Sequence, residues 1–264
     1  MFGILIVGLI IIVALLAPFL APFPPSKIVG RPFEDPGTFL LGTDVVGRDL
    51  LSRLLYGAQL TLLVTFAATT VGFLIGAVWG LAAAEMGGIT DDLTDLITNI
   101  LLSFPPLMLG LLLVSALTSS LPVLISTIAL IQVPRVVRVA RSVGQVTSSQ
   151  QFVEAARARG HRMLSILRTE ILPNAWRPLA VEYGLRLTYS TLYISALSFL
   201  GLGIQPPDAD WGLLVRENLA ALQEDRLVPV LLPAAAIGAL GIALNLIVDW
   251  LSDEASITIP QELQ

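Results

Sequence analysis

Long apolar blocks alternate with short polar stretches along the chain, and the blocks are long enough to cross a bilayer. About 20 mostly apolar residues span ~30 Å of hydrocarbon as a helix. The first block, Phe2–Ala21, carries no charge. A retained span is expected there. A cleaved signal peptide is the competing reading, weakened because no Lys or Arg precedes the apolar run. Pro22–Asp49 breaks the pattern with Pro22, Pro24, Pro25, Pro32 and Pro36 and with Lys27, Arg31, Arg48 and Asp49. It reads as a loop. Leu50–Gly57 reads as a short amphipathic helix leading into a second span, Ala58–Ala84, which is uncharged and rich in Gly, Ala and Thr. Small residues of that kind let helix backbones approach closely in lipid. Glu85–Asp92 reads as an acidic turn. The third span is expected at Leu93–Leu117, kinked near Ser103–Pro106 because proline removes a ladder hydrogen bond. Leu121–Val139, Leu179–Leu200 and Leu227–Leu251 complete a set of about six.

Charge gives these spans a direction. Arg135–Arg177 holds eight arginines, at 135, 138, 141, 157, 159, 162, 168 and 177. Cytoplasmic loops carry the excess of Lys and Arg, so this region is expected in the cytoplasm. By alternation both termini are cytoplasmic, while Pro22–Gly57 and Gly201–Arg226 face outward. Three parts follow: 1–57 as a first span plus outer loop, 58–251 as a core, and 252–264 as a cytoplasmic tail.

Composition narrows the class. Of 264 residues, 55% are hydrophobic and 13% charged, about half the ~25% charge of a soluble domain. Mean hydropathy is +0.82. Disorder, a coiled coil and a free cytosolic enzyme are excluded in favour of an all-α polytopic membrane protein with lipid around it. There is no cysteine and one histidine, His161, so thiolate metal sites and cysteine nucleophiles are excluded. Net charge is −5 and Lys27 is the sole lysine; a nucleic-acid surface needs far more cations. A Gly-x-x-x-x-Gly-Lys-Ser/Thr phosphate loop is missing, so ATP cannot be hydrolysed here by that route. No catalytic or metal-binding constellation is expected.

The arginine-rich region carries the sharpest pattern. Ser148 and Gln151 have capping-box spacing, and a helix is expected through Glu154, Ala155, Ala156 and Ala158. Gly160 stands where a helix ends. A second helix is expected at His161–Leu172, stopped by Pro173. Small, apolar and basic residues share this surface, which suits a membrane or a groove on a partner protein.

Here the residues resemble a family. Glu154-Ala155-Ala156-x-x-x-Gly160 followed by Ile171-Leu172-Pro173 resembles the EAA loop of ATP-binding-cassette importer permeases, in the form usual in their peptide/nickel branch. Gly42-Thr43-Asp44-x-x-Gly47-Arg48-Asp49 resembles the segment before the second span of the second permease subunit in dipeptide and oligopeptide importers. Ser103-Phe104-Pro105, Ser198-Phe199-Leu200-Gly201-Leu202-Gly203, Gln205-Pro206-Pro207, Trp211-Gly212 and Asn245, Asp249 and Asp253 follow in matching order. Val248, Ser252 and Ile194 depart from the branch, where Gly, Arg and Glu are usual.

The resemblance implies a type I importer permease fold whose EAA helices, about 148–173, dock into an ATPase. It assigns that contact to Glu154, Ala155, Ala156 and Gly160, with His161 beside them and Ile171, Leu172 and Pro173 closing the motif. It implies a second homologous permease, two ATPase subunits that bind the ATP, and an extracytoplasmic binding protein, all at the cytoplasmic membrane. Cofactors in this chain itself are not expected. Di- or oligopeptides are the expected cargo, with nickel or another small solute as the alternative. A secondary transporter and a membrane enzyme are the competing classes.

Other residues stay open between two roles. Glu182 and Arg186, four apart with Glu first, form a favourable helical pair. They read as a mutually neutralised pair near the cytoplasmic interface, or as a lining of the path with Ser103 and Phe104. Asp208, Asp210 and Trp211 read either as caps and anchors of a loop or as contacts at the outer mouth.

Overall fold

The computed structural model describes residues 2–37 and 39–256. Among them the chain is helical and without a β-sheet. Its α-helices are α1 (Phe2–Leu15), α2 (Ala17–Leu20), α3 (Leu50–Met86), α4 (Gly88–Leu102), α5 (Pro106–Leu117), α6 (Leu121–Ser148), α7 (Gln151–Ala158), α8 (Met163–Ile166), α9 (Leu172–Phe199), α10 (Trp211–Glu217) and α11 (Val228–Ser256). A π turn, Leu167–Ile171, joins α8 to α9, and a 3-10 turn, Leu219–Glu224, follows α10.

Four expected boundaries move. The amphipathic helix and the second span are one helix, α3, because nothing between Leu50 and Met86 interrupts the ladder. Asp49 caps it by accepting from Ser52 N at 2.8 Å. Its 37 residues make it about 55 Å long at 1.5 Å per residue. The kink in the third span is a break: α4 and α5 meet at 81°, because Pro105 and Pro106 stand together and Ser103 ends α4. The fourth helix runs on to Ser148 instead of ending at Val139. Arg138 and Arg141 interrupt its hydropathy but not its helix, since Arg138 Nη2 donates to Asn99 Oδ1 at 2.6 Å and Arg141 pairs with Asp91 and Asp95 of α4. Arg135, Arg138 and Arg141 therefore lie on α6 and not in a loop. Finally, Pro173 does not stop a helix. It sits in the first turn of α9, directly after the π turn Leu167–Ile171, and the helical run passes through it; the fifth helix begins at Leu172 rather than Leu179. The expected tail continues α11 to Ser256; residues 257–264 lie outside the described residues.

By length and apolarity, α3, α6 and α11 each suffice to cross a membrane, and α4 with α5 is long and apolar enough together to make a fourth, broken span or a re-entrant loop. α9 is as long as α6, at 28 residues, but carries Glu182 and Arg186. α1 has 14 residues.

The tightest pairing is α3 on α6, and glycine makes it possible. Gly72, Gly76 and Gly80 stand four apart on one face of α3. A Cβ at Gly72 would lie 2.8 Å from the Ala129 carbonyl oxygen, at Gly76 2.6 Å from Val136 Cβ, and at Gly80 2.5 Å from the Val137 carbonyl oxygen. Backbone contact of this kind is how helices associate in lipid, where apolar burial provides no drive. Gly80→Val is expected to destabilise the fold by about 1–3 kcal/mol or more through overpacking. Gly241→Val on α11, where an added Cβ meets nothing within 4 Å, is the control. Thermal unfolding in detergent checks both; equal midpoints would mean that α3 and α6 separate at no cost.

α3 also joins the two ends of the molecule. Its N-terminus holds the loop 21–49, and its C-terminus holds the α7–α8 hairpin.

Candidate functional site

The hairpin is built from one buried and one exposed face. Val153, Ala156, Ile166 and Ile171 are buried against Ala77 and Leu81 of α3, Val136 and Ala140 of α6, and Ala175 of α9. Glu85, at the end of α3, accepts from Ser148 Oγ at 2.8 Å and from Arg157 Nη2 at 2.7 Å. Ser148 thus ends α6 and clamps the hairpin; it does not cap α7, whose N-cap is Gln150. Gly160 has φ +79°, and its neighbour His161 donates N–H to the Ala156 carbonyl at 3.2 Å while Gly160 donates to Arg157 at 2.9 Å. That is a glycine-dependent C-cap. An added Cβ there meets nothing within 4 Å, so the requirement is one of backbone angle alone.

The EAA residues divide accordingly. Glu154, Ala155, Gly160 and His161 are exposed, whereas Ala156 and Ile171 are fully buried within the chain. Leu172 and Pro173 are exposed at the start of α9. Ala156 and Ile171 support the hairpin from beneath, and the others form a surface with Phe152 and Leu164. Apolar and charged groups alternate on this exposed face.

Glu182 and Arg186 are buried, 5% and 6% exposed, so they do not snorkel outward. Arg186 Nε lies 2.9 Å from Glu182 Oε1. Ser103 and Phe104 are exposed at the α4–α5 break, whereas Glu182 and Arg186 are buried on α9.

At the opposite end of α3, Asp208 alone of Asp208, Asp210 and Trp211 is exposed. Asp210 caps α10, accepting from Gly212 N at 3.1 Å and Leu213 N at 3.3 Å. Trp211 is 3% exposed; its indole Nε1 donates to the Leu54 carbonyl at 3.0 Å. Both anchor the loop. Gly212 permits this, because a Cβ there would lie 2.3 Å from the Ser195 carbonyl oxygen.

Burial raises the Asp210 carboxyl to about 7, against the lowering effect of Ser198 and of the Gly212 and Leu213 amides. The folded chain then holds more protons than the unfolded one between about pH 4 and 7. Asp210 contributes a stability that is greatest below pH 4 and is lost as pH rises through 7. Asp210→Asn keeps a capping oxygen and is expected to flatten this part of the stability–pH curve, measured by thermal unfolding at pH 5 and pH 8. An unchanged slope would remove Asp210 as its source.

A charge cluster missed in the sequence ties this end together. Asp44 accepts from Arg48 Nε and Arg53 Nη1, each at 2.7 Å, and Glu217 of α10 accepts from both arginines. Asp44 and Arg53 are fully buried. Burial alone would raise the Asp44 carboxyl; amide hydrogen bonds from Arg48 and Val46 and the charges of Arg48 and Arg53 outweigh it and hold it below the usual range. Gly42 and Gly47, with φ of +78° and +87°, turn the backbone on either side of Asp44. The available signal was Asp49 four residues before Arg53, which places the arginine one helical turn inside the cap.

Residues 72–255 match the family described as binding-protein-dependent transport system inner membrane component, and residues 1–37 match the N-terminal TM domain of oligopeptide transport permease C. The chain is 34% identical over 259 residues to the di/tripeptide transport system permease protein DppC of Pseudomonas aeruginosa, covering 95% of this chain and 85% of that one. It is 29% identical over 259 residues to the dipeptide transport system permease protein DppC of Haemophilus influenzae, covering 95% and 88%. It is 34% identical over 252 residues to the glutathione transport system permease protein GsiD of Escherichia coli, covering 94% and 83%. Among solved structures it is similar to the inward-facing MetNI methionine ABC transporter, with TM-score 0.59 and 21% identity over 76% of this chain and 96% of that one. A similar likeness holds to an amino acid ABC transporter, with TM-score 0.56 and 18% identity over 77% and 94%. These two likenesses concern the fold.

Proposed function

We infer the role of this chain from one premise: it belongs to the family of binding-protein-dependent transport system inner membrane components. It is a multi-pass permease component of an ABC transporter in the inner membrane, not a catalytic enzyme. The inference is that it forms half of a path for short peptides. Relatives named for di/tripeptides, dipeptides and glutathione support that cargo.

In this reading a second permease supplies the other half, two ATPase subunits bind ATP, and an extracytoplasmic protein delivers the peptide. The observation that carries it is the exposed face Glu154, Ala155, Gly160 and His161, held at one end of α3 by Glu85. Closure of the ATPases pushes this face. A long helix in backbone contact with α6 transmits the push, because close-packed elements move as rigid bodies. The outer loop, locked to the far end of α3 by Arg53, moves with it, and the path opens alternately to each side. The hairpin end is cytoplasmic, as are both termini, and the helices make about six crossings.

The test is uptake by proteoliposomes holding this chain with its neighbouring permease and ATPases. ATP is enclosed, and the binding protein and a labelled dipeptide are added outside. ATP-dependent accumulation is expected. Accumulation at the same rate without ATP would favour a secondary transporter and sink the reading.

A further inference from the structure

Midway along α6 and α9 lies a polar cluster, with Glu182 and Arg186 buried and Arg135 half-buried, that the coupling mechanism does not use. Arg135 and Arg186 each stand near the centre of a 28-residue helix. Arg135 is within electrostatic range of Glu182 and of Tyr193. Among the described residues, Glu182 is the one carboxylate within ion-pair distance of Arg186, and none is within that distance of Arg135. Two guanidinium groups thus share one carboxylate, in a chain whose net charge is −5.

The hydrogen bonding is incomplete as well. Arg186 Nη1 and Nε, Arg135 Nε and Glu182 Oε1 are buried without a hydrogen-bond partner. The Arg186–Glu182 pair is close but not aligned as a hydrogen bond. A buried guanidinium with free N–H groups is costly, more so in a membrane, where charges are kept for pairing or for a pathway. Of the nearby polar groups, Gln132 Nε2 donates to Ser190 Oγ at 2.6 Å and Ser190 pairs with Thr69 at 2.6 Å, while Gln132 Oε1 is itself buried without a partner. Above Arg186 lies Tyr189, its ring centre 4.8 Å from the guanidinium and its side chain 37% exposed. Tyr189 stacks on Tyr193 at 6.4 Å. One side of the cluster is therefore a partly exposed aromatic cover, not packed backbone.

We propose that Arg135 and Arg186 form a carboxylate-binding station on the transport path, which takes the C-terminal carboxylate of a peptide in transit. The proposal rests on the peptide-permease reading above. A carboxylate supplies the missing counter-charge and the acceptors for the free N–H groups, in the forked geometry that guanidinium suits. Every linear peptide carries this group, so the station holds cargo without regard to side chains. Glu182 keeps the hold weak by competing for Arg186. A path needs that, since a site must release what it binds.

The test uses the reconstituted transporter described above, with a labelled dipeptide and its C-terminal amide. The binding protein is the same throughout, so any change in the acid-to-amide uptake ratio between variants belongs to the permease. Arg135→Gln and Arg186→Gln are expected to lower that ratio roughly tenfold, the loss of one charge-assisted hydrogen bond. Arg135→Lys, which keeps the charge, is expected to restore much of it. Glu182→Gln is expected to raise the ratio. Equal loss of acid and amide uptake in both Gln variants would overturn the proposal and assign the arginines to packing or to a carboxylate of the second permease; an unchanged ratio would overturn it too. Absence of ATP-driven uptake of either peptide by the unaltered complex would instead sink the peptide-permease reading, and this proposal with it.

Discussion

Reversing Glu154 to Arg is expected to abolish ATP-driven uptake while the chain still inserts in the membrane and folds. Glu154 is exposed and sits on the outward face of α7, so its loss removes nothing from the core beneath. Breaking one partner of a desolvated charge pair across an interface costs about 2–5 kcal/mol, and 2 kcal/mol already weakens binding by about 30-fold. The measurement is co-purification of the ATPase subunits with the variant, alongside its thermal midpoint in detergent. Loss of the ATPases at an unchanged midpoint is the expected result. Retained ATPases with full uptake would remove Glu154 from the contact. Gly160→Ala makes a milder comparison: nothing clashes with the new methyl, and the cost is that of a left-handed backbone in a non-glycine residue, about 1–2 kcal/mol.

Arg53→Ala is expected to have the largest effect on stability. The side chain is fully buried and faces both Asp44 and Glu217. Removing it leaves two carboxylates against Arg48 alone, and breaking a buried pair in this way costs about 3–5 kcal/mol. The loss falls on the loop 21–49 and α10, which these charges fasten to α3. Limited proteolysis near 26–42 and thermal unfolding both report it. The double variant Arg53→Met with Asp44→Asn is expected to be less damaging than the single one, because it withdraws the charge and its counter-charge together. If the double variant is worse, the cluster is held by packing rather than by charge.

The sequence made the helices legible and their ends less so. Hydropathy finds apolar blocks, but a helix continues through any residue that keeps its backbone bonds. For that reason α6 passes Val139 with Arg138 and Arg141 paired to α4, and α9 starts at Leu172 with Pro173 in its first turn. Local spacing also revealed Gly160 as a turn, since φ +79° leaves its mark in residue choice. It did not reveal that Ala156 faces inward while Ala155 faces out. That depends on where α3 and α6 lie, which is a tertiary fact. The Asp44–Arg53–Glu217 cluster was hidden for the same reason: 164 residues separate Arg53 from Glu217. In the sequence Asp210 and Trp211 stay open between loop anchors and surface contacts, because charge and Trp suit both roles. The small residue Gly212 beside them was the hint of a buried, close-packed turn.

The two alanines offer the most direct test of coupling through the hairpin. The chain has no cysteine, so Ala155→Cys and Ala156→Cys each place a single thiol in this chain, to be tested in the assembled transporter with cysteine-free partners. With a bifunctional thiol–amine reagent of short span, Ala155→Cys is expected to cross-link to an ATPase subunit, with a yield that changes when ATP is added. Ala156→Cys, facing Val136 and Ala140, is expected not to. Cross-linking of neither residue, or of Ala156→Cys in preference to Ala155→Cys, would contradict the assignment of this surface as the point where ATP hydrolysis drives the permease.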